Sequence, residues 1–136
     1  MKKILLSNKS WGIHFPILLL RVTFGAAMLF GHGLGKWKTL VAGGEIKFMN
    51  FLGIGTTASL ALAVFAEVIC AALLVLGLLT RMALIPLITT MAVALFMIHP
   101  NDAFATQEKS LLYLVAYVVL FIYGAGKYSV DGLLKK

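Results

Sequence analysis

The sequence predicts an all-α membrane protein, a bundle of four transmembrane helices with short loops. Of its 136 residues, 61% are hydrophobic and only 12% are charged, whereas a soluble domain carries about 25% charged residues. The mean hydropathy is +0.99. Four apolar stretches, at residues 16–36, 58–79, 81–99 and 107–123, are each long enough to cross a bilayer core about 30 Å thick.

The second stretch, residues 58–79, holds a single charged side chain, Glu67, near its middle. An ionised carboxylate at that depth costs at least a few kcal/mol. We therefore expect Glu67 to face the interior of the bundle and to be neutral or paired with another polar group.

The first stretch carries a polar stripe and a stripe of small residues. The polar stripe follows the helical period and comprises Arg21, Gly25, Met28, His32 and Lys36. A second face carries a row of small residues, which lets another helix approach closely. This row comprises Ala27, Gly31 and Gly35.

The connections predict where each helix starts and stops. Residues 1–15 form a basic, partly amphipathic segment that we expect at the membrane surface. Residues 16–133 form the transmembrane domain. The loop after Lys36 contains a glycine pair and a short interfacial helix predicted over residues 45–52. Thr106 is the expected N-cap of the fourth helix.

The net charge is +7, and the basic residues lie at the ends of the apolar segments. This placement indicates contact with lipid headgroups and not with a nucleic acid. Four spans place both termini on one side, with eight basic residues: Lys2, Lys3, Lys9, Arg21, Arg81, Lys127, Lys135 and Lys136. The other side has four: Lys36, Lys38, Lys47 and Lys109. This asymmetry predicts that both termini are cytoplasmic.

Polar side chains are expected to gather near the outer surface, above Glu67. They are His32, Lys36, His99 and Glu108, with the hydroxyls of Tyr113 and Tyr117 lining the same cleft. One interpretation is a redox or proton-handling site around a quinone headgroup, with Glu67 and His32 as its reactive groups. The alternatives are helix-end residues that only satisfy one another's hydrogen bonds, and a divalent metal site without a local motif such as HExxH.

On the inner side, Arg21, Arg81 and Asp131 lie at similar depth. We expect an ion pair that ties the C-terminal tail beneath the bundle, and a clamp for a substrate anion is the alternative. Cys70 is the only cysteine, so the chain can form no intrachain disulfide. This excludes, for a single chain, disulfide generation by paired cysteines.

Several motifs together resemble the DoxX family of small membrane proteins. They are RVTFG at 21–25, FGHG at 30–33, LGLLTR at 76–81 and GAGKYSVD at 124–131, together with the mid-membrane Glu67. The resemblance covers nearly the whole chain, about residues 16–133.

The resemblance implies a four-helix inner-membrane protein. The family takes its name from subunits of quinone-linked oxidases and thiosulfate:quinone oxidoreductases, and other members are associated with thiol and oxidative-stress handling. It implies a quinone as the cofactor, and the lipid bilayer, further copies of the chain or redox proteins as partners. The rival function is a non-enzymatic scaffold or anchor that recruits redox partners.

Overall fold

The computed structural model describes residues 1–135 and contains four helices long and apolar enough to cross a membrane. Spans 1 to 4 are His14–Ala42, Thr56–Leu76, Thr80–Ile98 and Phe104–Tyr123. Short helices at Lys2–Leu5 and Val130–Leu134 lie outside them. The predicted four-helix membrane protein is confirmed. The cytoplasmic orientation of the termini stays a prediction, and Lys136, which counted toward it, lies outside the described residues.

The spans pack as a ring around one core. Span 1 packs against spans 2 and 4, and span 3 packs against the same two helices. Large buried side chains from all four spans fill the centre, among them Met28, Leu74, Leu84, Leu87 and Tyr117. The Lys127 amide donates to His14 Nδ1 at 3.1 Å. The start and the tail of the chain therefore share one end of the bundle, called the terminal end below, and the opposite end is the loop end.

Span 1 is longer than predicted. It continues through Lys36 to Ala42, because Trp37, Lys38 and Thr39 all permit a helix, and it stops at Gly43, whose φ of 72° ends the helical backbone. The prediction of an interfacial helix over residues 45–52 is wrong. Only one turn of 3₁₀ helix forms there, at Phe51–Gly53.

The other boundaries differ from the prediction by a few residues. Span 2 ends at Leu76, because Gly77 adopts a left-handed conformation with φ of 71°. Span 4 begins at Phe104 with Ala103 as its N-cap, so Thr106 is not the cap. Pro86 lies in the second turn of span 3, which remains helical.

Three of the spans contain a π turn, which the sequence did not predict. These wider turns are Leu29–Gly33 in span 1, Phe65–Cys70 in span 2 and Ala94–Ile98 in span 3. A π turn adds a residue to the helix, changes which side chains share a face and is frequent at functional sites. The π turns of spans 1 and 2 contact each other.

Two other glycines replace the predicted row of small residues at the contact between spans 1 and 2. A Cβ at Gly25 would lie 2.7 Å from the Val75 side chain, and one at Gly33 would overlap the backbone carbonyl of Glu67. Gly31 and Gly35 are exposed instead, and within residues 1–135 no atom outside their own helical turns comes within 4 Å of a Cβ built there. The predicted row therefore meets no other helix of the described chain.

Candidate functional site

Lys36 and Glu67 form an ion pair between spans 1 and 2. The Lys36 ammonium donates to both carboxylate oxygens, at 2.7 Å from Oε1 and 2.6 Å from Oε2. The Glu67 side chain is 1% exposed, whereas that of Lys36 is 33% exposed. The buried carboxylate is therefore neutralised by a lysine from the neighbouring helix that keeps part of its own surface accessible.

The local backbone makes this pair geometrically feasible. Glu67 lies within the π turn of span 2, and Lys36 follows the π turn of span 1 by less than one helical turn. Between them, Gly33 has no side chain, and the backbone of span 2 at Glu67 occupies the space that a Cβ would need. The close approach of the two helices brings the lysine within reach of the carboxylate.

A mainly apolar cavity of about 540 Å³ lies between spans 2 and 3 at the loop end. Its walls include Phe65, Ala66, Ile85, Met91 and Ile98, and side chains from the loop before span 2 cover it. Two of its lining residues, Lys36 and His99, carry nitrogen groups that can donate hydrogen bonds. The cavity thus has the composition usual for small-molecule sites, an apolar wall with a few polar groups.

Glu67 and His32, the two predicted reactive groups, differ from Lys36 in their relation to this cavity. Neither residue is among those lining the cavity beside spans 2 and 3. Lys36 alone joins Glu67 to this space, since its ammonium binds the carboxylate and its side chain also lines the cavity. Of the ion pair, therefore, the lysine lines the cavity and the carboxylate lies behind it.

His99 follows the last residue of span 3 and is held in place from two directions. Its Nδ1 lies 2.5 Å from the Asp102 carboxylate, and its backbone carbonyl accepts a hydrogen bond from Gln107 at 2.7 Å. Asp102 and Gln107 were not singled out in the sequence, where nothing but their nearness to His99 marks them. Glu108 is exposed, and no hydrogen bond or ion pair within residues 1–135 involves it.

His32 belongs to an aromatic cluster at the contact of spans 1 and 4. Its ring meets Tyr113 edge-on, with ring centroids 5.7 Å apart, and Tyr113 lies 5.9 Å from Tyr117. The Tyr117 hydroxyl donates to the Phe24 carbonyl at 3.1 Å, so it serves the packing of spans 1 and 4. His32 and the two tyrosines therefore lie together, but outside the lining of the cavity that holds Lys36 and His99.

The described residues offer neither a metal cluster nor a thiol pair. Within residues 1–135 no group of three or more His, Cys, Asp or Glu is placed to hold a metal ion. Cys70 is a free, buried side chain in the core between the spans.

At the terminal end, the buried Arg21 joins span 1 to the last turn of span 2 and to the tail. Its guanidinium donates to the carbonyls of Ala125 at 2.6 Å, Tyr128 at 2.7 Å and Val75 at 3.4 Å. Only 2% of this residue is exposed. The carbonyls satisfy a charge that would be costly to bury alone.

The predicted ion pair of Asp131 with Arg21 or Arg81 is wrong as a direct contact. The Asp131 carboxylate instead accepts hydrogen bonds from the backbone amides of Leu79 and Thr80, each at 2.9 Å. It thereby caps the first turn of span 3, where the amides have no partners in the helix.

Arg81 binds other groups than the predicted carboxylate. Its Nε and Nη2 donate to the carbonyls of Phe121 and Ile122 at the end of span 4, at 3.0 and 3.1 Å. A guanidinium is well suited to this position because carbonyls at a helix C-terminus lack partners and carry partial negative charge.

Asp131 should make the stability of the protein depend on pH in the acidic range. Burial alone raises the pKa of its carboxyl, but hydrogen bonds from Thr80 and Leu79 and the charge of Arg21 outweigh this, so the pKa lies below its ordinary value of 3.8. A lowered pKa in the folded state gives a stabilisation that is complete above the unfolded pKa and is lost as the pH falls through the folded pKa.

Replacement by Asp131→Asn removes this dependence. We expect the wild type to unfold at a higher temperature than the variant at about pH 6, and the difference to shrink toward about pH 3. Thermal unfolding in detergent micelles measures it. The variant Glu45→Gln, at an exposed position, serves as the control. A difference between wild type and Asp131→Asn that stays constant across this range would contradict the prediction.

The family model for DoxX matches residues 17–100. The chain belongs to the DoxX family. A relative from Haemophilus influenzae, described as an uncharacterized protein, is 32% identical over 94% of this chain and 90% of its own length. No solved structure matches the chain.

In this DoxX protein the motif LGLLTR at 76–81 and the motif GAGKYSVD at 124–131 fold into one unit. The Asp131 amide donates to the Gly77 carbonyl at 2.8 Å. The Ser129 hydroxyl donates to the Gly126 carbonyl at 2.6 Å, and a Cβ at Gly77 would overlap the Ser129 side chain. These two motifs, far apart in the sequence, therefore close the terminal end of the bundle together.

Proposed function

We propose that this DoxX protein is a quinone-binding subunit of a redox complex in the bacterial inner membrane, and that the cavity between spans 2 and 3 takes the quinone ring. The observation that carries the proposal is an apolar cavity with Lys36 and His99 in its lining and the buried Glu67 directly behind Lys36. The excess of basic residues toward the terminal end supports cytoplasmic termini, with the cavity toward the outer leaflet.

The lining residues fit the chemistry of a quinone. A quinone ring is flat and apolar and carries two carbonyl oxygens that accept hydrogen bonds. The cavity supplies aliphatic and aromatic walls for the ring, and Lys36 and His99 supply the donors for its oxygens. A volume of about 540 Å³ lies within the range of about 300–1,000 Å³ typical of small-molecule sites.

When bound, a quinone supplies an acceptor for two electrons and two protons, and the electrons come from a redox-active partner protein. The chain itself holds and moves protons. The Lys36 ammonium donates two of its hydrogen bonds to the Glu67 carboxylate, which keeps the charge in place, and its third N–H would serve a ligand oxygen in the cavity. Asp102 engages His99 at Nδ1, so we assign the proton exchange with the ligand to Nε2.

Filling the cavity tests the proposal. Thr89 lines the cavity and is otherwise exposed, so Thr89→Phe should occupy the ring site without disturbing the core. We expect the affinity for a short-chain ubiquinone analogue to fall by about tenfold or more, equivalent to at least about 1.4 kcal/mol. Met97→Phe is the matched control, because Met97 lies on the same span, is 53% exposed and does not line the cavity.

Tryptophan fluorescence provides the measurement. The chain has two tryptophans, and Trp11→Phe leaves Trp37, the residue next to Lys36, as the reporter that a bound quinone quenches. Saturable quenching in the Trp11→Phe background, weakened by Thr89→Phe and unchanged by Met97→Phe, supports the proposal. A wild-type protein that shows no saturable binding would defeat the quinone function and favour the scaffold that recruits redox partners.

A further inference from the structure

We propose that the terminal end of the bundle carries a binding site for one anionic phospholipid, whose phosphate is held by basic side chains from spans 1 and 3 and from the tail. A second cavity, of about 620 Å³, lies at this end, opposite to the cavity that contains Lys36. The proposal does not depend on the proposed quinone function, since the two cavities share no lining residue.

The charge of this cavity favours an anion. Its lining contains three cationic side chains, Arg81, Lys127 and Lys135, and a single acidic one, Asp131. The Asp131 carboxylate already accepts hydrogen bonds from two backbone amides, and no lysine or arginine of the described chain pairs with it directly. The cations therefore keep their capacity for an external anion.

The hydrogen bonds at this cavity leave donors for a phosphate. Arg81 uses Nε and Nη2 for the end of span 4, so the hydrogen bonds of residues 1–135 leave its Nη1 unused. His14 accepts the Lys127 amide at Nδ1, which places the ring proton of the neutral imidazole on Nε2 as a donor. The buried Thr80 hydroxyl lies beside Asp131 but has no well-formed hydrogen bond within the described residues.

The location of the cavity identifies the source of the phosphate as a lipid. His14 is the first residue of span 1 and Tyr123 the last of span 4, while Arg81 is the second residue of span 3. Ends of spanning helices lie at the level of the lipid headgroups, where basic pockets bind anionic lipids.

Apolar side chains of the same cavity match the rest of a lipid molecule. Leu79, Met82 and Tyr123 line the cavity and are 53%, 67% and 57% exposed. An acyl chain or glycerol backbone would cover them, whereas a free phosphate ion would leave them exposed. The combination of donors and exposed apolar surface therefore favours a phospholipid over a soluble anion.

Lipid titration of the purified full-length protein tests the site. In detergent micelles, native mass spectrometry would follow the retention of phosphatidylglycerol, of phosphatidylcholine and of inorganic phosphate. The principal variant is Lys127→Gln/Lys135→Gln, because neither side chain makes a hydrogen bond within residues 1–135, although Lys127 lies over the Tyr128 ring. Lys38→Gln/Lys47→Gln, exposed and nearer the loop end, removes the same charge as a control.

We expect the wild type to retain one phosphatidylglycerol in preference to phosphatidylcholine. A basic residue near an anionic lipid contributes about a fivefold gain in affinity, so the principal variant should bind phosphatidylglycerol about 30-fold more weakly. The control variant should bind as the wild type does. Arg81→Gln should also weaken retention, with thermal unfolding measured in parallel because Arg81 joins spans 3 and 4.

Two results would overturn the proposal. Equal losses in the principal and control variants would show that the lipid responds to total charge and not to this cavity. Displacement of phosphatidylglycerol by inorganic phosphate at about the concentration of the lipid would show a site for a soluble anion. Phosphate can compete at that concentration only if the apolar surface contributes nothing to the affinity for the lipid.

Discussion

The variant Lys36→Met should be destabilised by about 3–5 kcal/mol, the cost of leaving one member of a buried ion pair without its partner. The partner left behind is Glu67, whose side chain is 1% exposed. Both of its oxygens bind the Lys36 ammonium, and the hydrogen bonds of residues 1–135 give this carboxylate no other donor. The free energy of unfolding in mixed detergent micelles measures the loss.

A double variant separates the unpaired charge from the lost packing. In Lys36→Met/Glu67→Met both polar groups are replaced by flexible apolar side chains, and such replacements of buried pairs are often neutral or stabilising. We therefore expect most of the stability lost in Lys36→Met to return. Lys38→Met, an exposed position on the same helix, is the control and should change the stability by less than about 0.5 kcal/mol.

The same variants test the function independently of folding. Under the proposed function the double variant is stable but has lost its ammonium at the cavity, so its quinone affinity should remain low. Under the scaffold function its stability and its recruitment of partners should both be retained. If Lys36→Met is no less stable than Lys38→Met, the pair does not stabilise the bundle, and the argument from the buried carboxylate fails.

The sequence predicted the burial of Glu67 because the physical argument needed only its depth. A carboxylate in the middle of an apolar helix has to face protein, whatever its partner is. The partner of Glu67 was harder to predict. The sequence puts Lys36 at the outer end of the first helix, but that helix continues to Ala42. The residues after Lys36 do not strongly favour a helix over a loop. The packing of this segment against span 2 determines that it is helical.

The π turn of span 1 accounts for the difference between the predicted and the observed buried face of that helix. A π turn inserts one extra residue into the helix. Residues counted at the α-helical period beyond this point therefore no longer lie on the buried face. In span 1 the predicted stripe holds for Arg21, Gly25 and Met28, which are buried. At the last residue of the π turn, the close contact is made by Gly33, one residue after the predicted His32.

At the terminal end the sequence pointed to three charged residues but not to their hydrogen-bond partners. The side chains of Arg21, Arg81 and Asp131 all lie at this end. Charge alone favoured a pair between carboxylate and guanidinium, but the turns and helix ends there expose unpaired amides and carbonyls. These backbone groups take the carboxylate of Asp131 and the guanidinium of Arg81.

The substitution Gly33→Ala should destabilise the protein by about 1–3 kcal/mol, although alanine is the better helix former. Alanine normally gains about 1 kcal/mol over glycine inside a helix. Gly33 has a regular helical backbone, with φ of −63°, so the backbone itself accepts alanine. The new methyl group would overlap the Glu67 carbonyl and press on the Val68 side chain, which forces spans 1 and 2 apart as in an overpacked core.

Gly31→Ala, two residues earlier in the same π turn, is the matched control. Gly31 is exposed, and within the described chain nothing beyond its own helical turn lies within 4 Å of a Cβ built there, so this change should leave the stability unchanged or raise it by up to about 1 kcal/mol. Because separation of the helices also draws the Lys36 ammonium away from Glu67, the effects of Gly33→Ala and Lys36→Met should be less than additive. Unfolding in mixed micelles compares the single and double variants. If Gly33→Ala were as stable as Gly31→Ala, spans 1 and 2 would not be held at the close distance that the ion pair requires.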